Sequence, residues 1–234
     1  MDFHGRVVII TGAAGSLGRA LAAAFHEAGA QQLLIDVTEA GLKSAYPDPD
    51  PRRLLIAADL MDALSTQRAA DGAFAHFGRI DALCNIAGGF TMGTKVHETP
   101  AADWKKLMDL NAGTMLNCVQ AVVPKMLSAG GGRIVNIGAG AGQKAGGLMG
   151  AYSVSKSAVI RMTEAMSAEL REQNINVNCV LPSIIDTPPN RAAMPDADPR
   201  KWVAPQDLAN VIRFLCSDEA RAIHGAAIPV VGLS

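Results

Sequence analysis

Short apolar runs alternate with longer helical stretches along most of this chain. The runs that predict buried strands are Arg6–Thr11, Gln32–Ile35, Arg53–Ala58, Ile80–Ile86, Arg133–Ile137, Ile175–Leu181 and Ala227–Val231. The stretches that predict helices are Arg19–Gly29, Asp62–Phe77, Pro100–Ala129, a segment that begins around Tyr152, and Pro205–Ser217. This alternation is typical of an α/β protein.

Three segments depart from the alternation. Tyr46–Pro51 carries three prolines and predicts a rigid polar loop. Pro182–Trp202 is rich in proline and charge without a clear period, which suits a mobile lid, and we place a substrate lid at 188–203. Asn111-Ala112-Gly113 interrupts a long helical stretch and predicts a kink, where Asn111 either orders a water near a lysine or satisfies helix carbonyls.

Composition narrows the class of protein. The chain has 234 residues, 49% of them hydrophobic, which suffices for one core, so we predict a single domain over 1–234. Its net charge of −1 and the absence of long apolar runs give no sign of a nucleic-acid or membrane partner. Histidine spacing predicts no metal site. Four widely separated cysteines, and no signal-peptide pattern, favour free thiols and a cytoplasmic location.

A glycine-rich turn follows the first predicted strand. Thr11–Gly18 reads TGAAGSLG and leads into a helix, and Asp36 ends the second strand 18 residues beyond Gly18. Glycines let a backbone approach a pyrophosphate, and the helix N-terminus attracts its negative charge. An acid at the end of the second strand accepts hydrogen bonds from the adenosine ribose and repels a 2′-phosphate. The pattern therefore predicts NAD rather than NADP, and Val37 after the acid supports this choice.

Other strand ends add candidate cofactor contacts. Asp59-Leu60 follows the third strand, and Asp59 either reaches the adenine amino group or caps the next helix. Ala87-Gly88-Gly89 follows the fourth strand, where small residues allow a ligand to lie close to the backbone.

The candidate chemistry lies in Tyr152-Ser153-Val154-Ser155-Lys156. A tyrosine and a lysine four residues apart lie on one face of a helix. A free tyrosine has a pKa near ~10, and a neighbouring ammonium lowers it. Such a pair can move a proton to or from an alcohol or carbonyl oxygen. The apolar residues of this helix lie around most of its circumference, which predicts a subunit interface.

These motifs, in this order, resemble the short-chain dehydrogenase/reductase family. The resemblance rests on Thr11–Gly18, Asp36, Asp59-Leu60, Asn85-Ile86-Ala87-Gly88, Asn111, Tyr152 with Lys156, and Pro182–Thr187. It implies a doubly wound Rossmann fold, with a seven-stranded parallel sheet and helices on both faces. It also implies an NAD(H)-dependent oxidoreductase that transfers a hydride between nicotinamide and a small carbonyl or alcohol. A homotetramer or homodimer is expected as well.

The resemblance also implies residue roles. Tyr152 would be the acid and base, Lys156 would hold the nicotinamide ribose and lower the tyrosine pKa, and Asn111 would anchor a proton-relay water. Ile185 and Thr187 would bind the nicotinamide carboxamide. The implied cofactor contacts are Gly12, Ser16, Leu17, Gly18, Asp36, Val37, Asp59, Leu60, Asn85, Ala87, Gly88, Tyr152, Lys156, Pro182, Ile185 and Thr187.

The chain departs from the family pattern at three positions. Ser16 stands where the commonest branch has its middle glycine, so the glycine spacing is that of the extended branch. Ile86 replaces the second asparagine of an Asn-Asn-Ala-Gly motif. The family's catalytic serine lies thirteen residues before the tyrosine, where this chain has Ala139.

The missing serine leaves alternatives open. Dihydropteridine reductase, a family member, is similar in lacking that serine and in residues 186–198 at the lid. One alternative is therefore reduction of a quinonoid substrate, and another is a non-catalytic NAD-binding protein. Gln143 and Lys144 on the same loop are candidates to replace the hydroxyl, although loop residues of this kind are more often simply exposed.

Overall fold

The computed structural model describes all residues 1–234 and contains one seven-stranded sheet. The strands are β1 Val7–Thr11, β2 Gln31–Asp36, β3 Arg53–Ala57, β4 Ala82–Asn85, β5 Gly132–Ile137, β6 Ile175–Pro182 and β7 Ala227–Val230. Every neighbouring pair is parallel, and the strand order is β3-β2-β1-β4-β5-β6-β7. The predicted Rossmann fold is confirmed.

Helices cover both faces of the sheet. They are α1 Ser16–Glu27, α2 Glu39–Ala45, α3 Ala63–Phe77, α4 Ala101–Met108, α5 Thr114–Ser128, α6 Gly140–Gln143, α7 Gly150–Leu170, α8 Pro188–Ala193 and α9 Pro205–Leu215. One core cluster packs α1 and α9 against the sheet, and a second packs α3 and α5 against the opposite face. Strands buried on both faces explain the unbroken apolar runs of the sequence.

The strand order reverses between β1 and β4. In a doubly wound sheet, ligands bind at such a reversal, beyond the carboxyl ends of the strands. The glycine turn after β1 and the small residues after β4 both lie at this position.

The predicted kink is confirmed as a π-helical turn, Asp109–Gly113, between α4 and α5. A π turn inserts one extra residue and rotates the following helix, and such turns are frequent at functional sites. Asn111 and Ala112 are turned inward and buried there.

Several boundaries differ from those predicted. Helix α1 begins at Ser16, inside the glycine turn, and β4 begins two residues later than predicted, at Ala82. The periodicity did not reveal α2 or α6, which are only seven and four residues long. The supposedly irregular lid contains α8 and a 3₁₀ turn at Pro199–Lys201.

No helix in the structure combines the length and the apolar character that a membrane crossing requires. The structure also brings together no group of three or more histidine, cysteine, aspartate or glutamate side chains suited to hold a metal ion.

Candidate active site

The glycine turn after β1 is built so tightly that two of its glycines tolerate no side chain. Gly12 has a φ of +63°, and a Cβ there would lie 3.1 Å from the backbone of Ala87. A Cβ on Gly18 would lie 2.2 Å from the carbonyl oxygen of Gly12. Gly12 is thus required for the tight turn and Gly18 for the close packing of the helix on that turn, which are two of the glycine roles in a dinucleotide-binding turn.

The first turn of α1 leaves its amides available. Gly15 precedes the helix without a side-chain cap, and the first turn contains no acidic residue. The amides of Gly15 and Arg19 donate the backbone hydrogen bonds that close the turn. The amides of Ser16, Leu17 and Gly18 have no protein acceptor. Free N–H groups at the positive end of a twelve-residue helix attract an anion.

Asp36 lies beside this turn at the end of β2. Its carboxylate accepts hydrogen bonds from the amides of Ala14, at 2.9 Å, and Val37, at 2.8 Å. Each carboxylate oxygen has two lone pairs, so both oxygens can still accept a ribose hydroxyl. Tyr46 supports the turn from behind, because its buried hydroxyl donates to the carbonyl of Ala13 at 2.7 Å.

Asp59 does not cap the following helix, so that alternative is wrong. The side chain that caps α3 is Asp62, which accepts a hydrogen bond from the Leu64 amide. Asp59 is exposed beyond β3, and its carboxylate accepts a hydrogen bond from the Met61 amide at 2.9 Å. Asp59 therefore remains free to face an adenine, while Leu60 is buried beneath it.

Thr11 joins the ends of β1 and β4. Its hydroxyl oxygen accepts hydrogen bonds from the amides of Ile86, at 2.9 Å, and Ala87, at 3.0 Å. The side chain of Asn85 turns into the protein, where its amide donates to Asn136 at 2.8 Å. The side chain of Asn85 therefore links the ends of β4 and β5 inside the protein.

The side chain of Asn111 bonds Gly89 and Ser155 and does not satisfy helix carbonyls, whereas the predicted water near the lysine stays a prediction. Its amide oxygen accepts from the Gly89 amide at 2.9 Å, and its amide nitrogen donates to the Gly89 carbonyl at 3.1 Å. The same nitrogen donates to the Ser155 hydroxyl at 2.9 Å. The side chain thus ties the loop after β4 to α7.

Tyr152 and Lys156 lie one turn apart on α7, as predicted. The ammonium of Lys156 donates to the Ile137 carbonyl at 2.8 Å, and burial lowers the pKa of Lys156 to about 8. Burial raises the pKa of Tyr152 to about 12, which is opposite in direction to the lowering expected from Lys156. Burial disfavours the charged phenolate, so the phenol stays protonated.

A cleft of about 290 Å³ lies beside Tyr152, between the loop after β4, α4 and the start of α7. Phe90 packs edge-to-face on the tyrosine ring, with 4.8 Å between the ring centres. Gly93 donates to the carbonyl of Leu148, a leucine whose φ of +61° is uncommon for a residue with a side chain. The other apolar lining residues are Met92, Leu107, Leu110, Met149 and Ala151.

Ala139 is buried at the end of β5, immediately before α6. Gln143 and Lys144 are exposed, and neither lines the cleft beside Tyr152. The structure therefore places both as surface loop residues and provides no replacement hydroxyl from this loop.

Hydrogen bonds and an ion pair within the segment after β6 hold it in place. Thr187 caps α8 by accepting a hydrogen bond from the Asn190 amide, and the Asn190 side chain donates to the Ile185 carbonyl at 2.8 Å. Arg191 forms a two-point ion pair with Asp186. Pro182, the last residue of β6, is buried at the base of this segment.

Comparisons with known proteins agree with this architecture. A sequence profile described as short chain dehydrogenase matches residues 6–198. D-threitol dehydrogenase of Mycolicibacterium smegmatis is 34% identical over 246 residues, covering 99% of this chain and 94% of that protein. Carveol dehydrogenase of Mycobacterium avium, solved with NAD, has a TM-score of 0.90 and 29% identity, covering 98% and 97% of the two chains. An NAD⁺-bound xylitol dehydrogenase has a TM-score of 0.91 and 26% identity, covering 99% and 100%.

The chain belongs to the short-chain dehydrogenase/reductase family. The predicted class, an NAD-dependent oxidoreductase that transfers a hydride between nicotinamide and a small carbonyl or alcohol, is confirmed. The non-catalytic and quinonoid-specific alternatives are not favoured. The local similarity to dihydropteridine reductase stays a prediction.

Sequence reasoning missed three contributors to the site. Thr11 was visible as the first residue of the glycine motif, but its link to Ala87 depends on the pairing of β1 with β4. Tyr46 and Ser155 gave no local signal, because their partners lie 33 and 44 residues away in the chain.

Proposed function

We propose that Tyr152 is the acid and base of the reaction and that Lys156 and Asn111 support it. The observation that carries the proposal is their convergence at the carboxyl edge of the sheet, beside the glycine turn. A Cβ on Gly88 would lie 2.7 Å from the Asn111 amide oxygen and 3.4 Å from the Lys156 ammonium. The loop after β4 thus packs closely against both groups, and position 88 has no room for a side chain.

When bound there, NAD⁺ would supply the hydride acceptor and NADH the hydride donor. The chain would hold the pyrophosphate on the amides of Ser16, Leu17 and Gly18, and the adenosine ribose on Asp36. Val37 and Asp59 would flank the adenine, and the ribose of the nicotinamide would lie near Lys156. The carboxamide would lie against Ile185 and Thr187.

The proton moves through Tyr152. In the direction of carbonyl reduction the phenol donates its proton to the substrate oxygen, and in alcohol oxidation the phenolate accepts one. Two cationic neighbours, the Lys156 ammonium and an oxidised nicotinamide, would each favour the phenolate and so oppose the rise in the pKa of Tyr152 that burial causes. Asn111 would hold the Gly88-Gly89 loop and a relay water behind Lys156.

The substrate we propose is a small alcohol or ketone with a largely apolar body. Aliphatic and aromatic side chains form about half of the cleft lining beside Tyr152, with Phe90 in contact with the tyrosine ring, and the polar part of the lining includes Asp103 and Lys106. A volume of about 290 Å³ accommodates on the order of ten non-hydrogen atoms, on the basis of ~30 Å³ for each water. The relatives named above act on polyols and on a cyclic terpene alcohol. We assign the segment 188–203 as the lid over this substrate, within a single domain spanning 1–234.

The test is a paired assay. NADH oxidation is measured against ketones, quinones and a quinonoid dihydropterin, and NAD⁺ reduction against secondary alcohols, both cyclic and polyol. The proposal expects turnover with ketones and with secondary alcohols. NADH binding without turnover on any of these compounds would instead indicate a sensor.

Asp36 is expected to select NAD over NADP. A 2′-phosphate would bring negative charge against a carboxylate, and like charges at close range repel by kcal/mol amounts. The parent should therefore have a higher kcat/KM with NAD⁺ than with NADP⁺, and Asp36→Ala should narrow the ratio. Asp48→Ala, which removes an exposed carboxylate from the neighbouring loop, should leave the ratio unchanged. A parent that works better with NADPH would refute this assignment.

We also propose a cytoplasmic location, which the four free cysteines support.

We further propose a homodimer or homotetramer whose interface uses the helices of Asn111 and Tyr152. Three large apolar side chains are exposed on these helices, namely Trp104 on α4, Leu116 on α5 and Val154 on α7. Sedimentation should give a multiple of the 24.4 kDa chain mass, and Val154→Glu should shift the population towards monomer. Leu64→Glu, at an exposed leucine of α3, is the control. A stable parent monomer at micromolar concentration contradicts the proposal.

A further inference from the structure

The buried hydroxyl of Ser155 joins two parts of the site. Ser155 lies on α7 between Tyr152 and Lys156 and is fully shielded from solvent. Its hydroxyl donates to the Tyr152 carbonyl at 2.7 Å and accepts from the Asn111 amide nitrogen at 2.9 Å. One side chain therefore links the helix of the tyrosine to the π turn of Asn111.

The direction of these bonds and the backbone of Gly89 together fix the orientation of Asn111. A hydroxyl has one proton, and Ser155 uses it on the Tyr152 carbonyl, so only a lone pair faces Asn111. The asparagine must then present its NH₂ group to Ser155 and its oxygen to the Gly89 amide. In the flipped orientation the amide oxygen would face a lone pair at Ser155, and its NH₂ group would face the Gly89 N–H.

Gly88 and Gly89 depend on that orientation. The Asn111 amide holds Gly89 by both its N–H and its carbonyl, which are the two polar groups of that residue's backbone. The adjacent Gly88 packs against the Asn111 amide and lies close to the Lys156 ammonium. Loss of the orientation would therefore displace the backbone that lines the cofactor side of the site.

We propose that Ser155 is a positioning residue, whose hydroxyl orients the Asn111 amide and so holds the Gly88-Gly89 loop in its cofactor-binding position. The proposal rests on the proposed function for the location of the cofactor. The two proposals are tested by different quantities. This one is tested by NADH affinity, which can be determined whether or not any substrate turns over.

The chain offers a matched control for the experiment. Ser153 is also a buried serine of α7, but its hydroxyl has no hydrogen-bond partner. Ser155→Ala should raise the NADH dissociation constant by roughly five- to tenfold, the effect of one lost hydrogen bond. Ser153→Ala should change it less than twofold. Ser155→Thr, which retains the hydroxyl on a rotamer able to bond the preceding turn, should recover most of the affinity.

A double-mutant cycle separates positioning from a general packing role. In Asn111→Ala the partner of Ser155 is gone, so adding Ser155→Ala should weaken NADH binding little further. NADH affinity is measured by fluorescence titration, and thermal unfolding confirms that each variant is folded. Additive effects in the cycle, or equal losses in Ser153→Ala and Ser155→Ala, would overturn the proposal. Coupled losses of NADH affinity in a protein that turns over no substrate would leave this inference standing and refute the proposed function.

Discussion

Replacing Tyr152 with phenylalanine is expected to lower kcat by roughly 10²-fold or more while leaving NADH affinity nearly unchanged. The substitution removes only the hydroxyl, and the ring still packs against Phe90. The lost rate is that of proton transfer to the substrate oxygen. The measurement is steady-state kcat and KM in both reaction directions, with NADH affinity determined separately.

Tyr46 supplies the contrast, because it is the only other tyrosine in the chain. Its hydroxyl donates to Ala13 beneath the glycine turn, so Tyr46→Phe should weaken the cofactor cradle and leave the proton-transfer step intact. A loss confined to NADH affinity in Tyr46→Phe and to kcat in Tyr152→Phe would separate the two functions. Equal kcat in Tyr152→Phe and the parent would refute the acid/base assignment.

The pH dependence gives a second signature of Tyr152. Burial raises the pKa of Tyr152 to about 12 in the free protein, so at neutral pH the phenol keeps its proton and can donate it to a carbonyl. Alcohol oxidation needs the deprotonated form, so its rate should rise as the pH rises. Carbonyl reduction should fall over the same range. The part of each slope that Tyr152 causes should disappear in Tyr152→Phe, which leaves only the titration of Lys156, whose pKa is about 8.

The fold and most of the cofactor site could be predicted because their signals are local. Strands buried on both faces produce short apolar runs, and the glycine turn with Asp36 lies within one strand-helix-strand unit. The π turn was also detectable, because Asn111 and Gly113 interrupt an apolar helical pattern.

The connections that hold the site could not be predicted from spacing. Whether Asn85 faces a ligand or the core depends on Asn136 of the neighbouring strand, 51 residues away. The pKa of Tyr152 depends on how deeply α7 packs, which the four-residue spacing to Lys156 does not specify. The capping of α3 by Asp62 instead of Asp59 depends on where the first helical turn closes, and boundaries are the least certain part of a periodic pattern.

Introducing a serine at Ala139 is the change expected to raise activity most. The family resemblance implies that a hydroxyl there would donate a hydrogen bond to the substrate oxygen as charge develops on it, and losing one such donor typically costs about 10²–10³ in rate. Ala139 is buried at the end of β5, so an added oxygen would be shielded from water and effective. Ala139→Ser should therefore raise kcat/KM for simple ketones by about tenfold or more. The upper limit of the increase is the effect of one hydrogen-bond donor, about 10²–10³.

The same substitution should change little for a quinonoid substrate. Such a substrate is reduced easily, so a proton from Tyr152 alone suffices. Ala141→Ser, a less buried alanine on the same loop, is the matched control and should affect neither substrate.

The measurement is kcat/KM for both substrate classes in the parent and in both serine variants. A rise confined to simple ketones and to Ala139→Ser would show that the missing hydroxyl limits the parent's substrates to those that need no second donor. The exposed position of Gln143 makes the other account, a replacement donor on this loop, the weaker one. If the parent already reduces simple ketones efficiently, and Gln143→Ala leaves that rate unchanged, then neither an easily reduced substrate nor a loop donor explains the alanine.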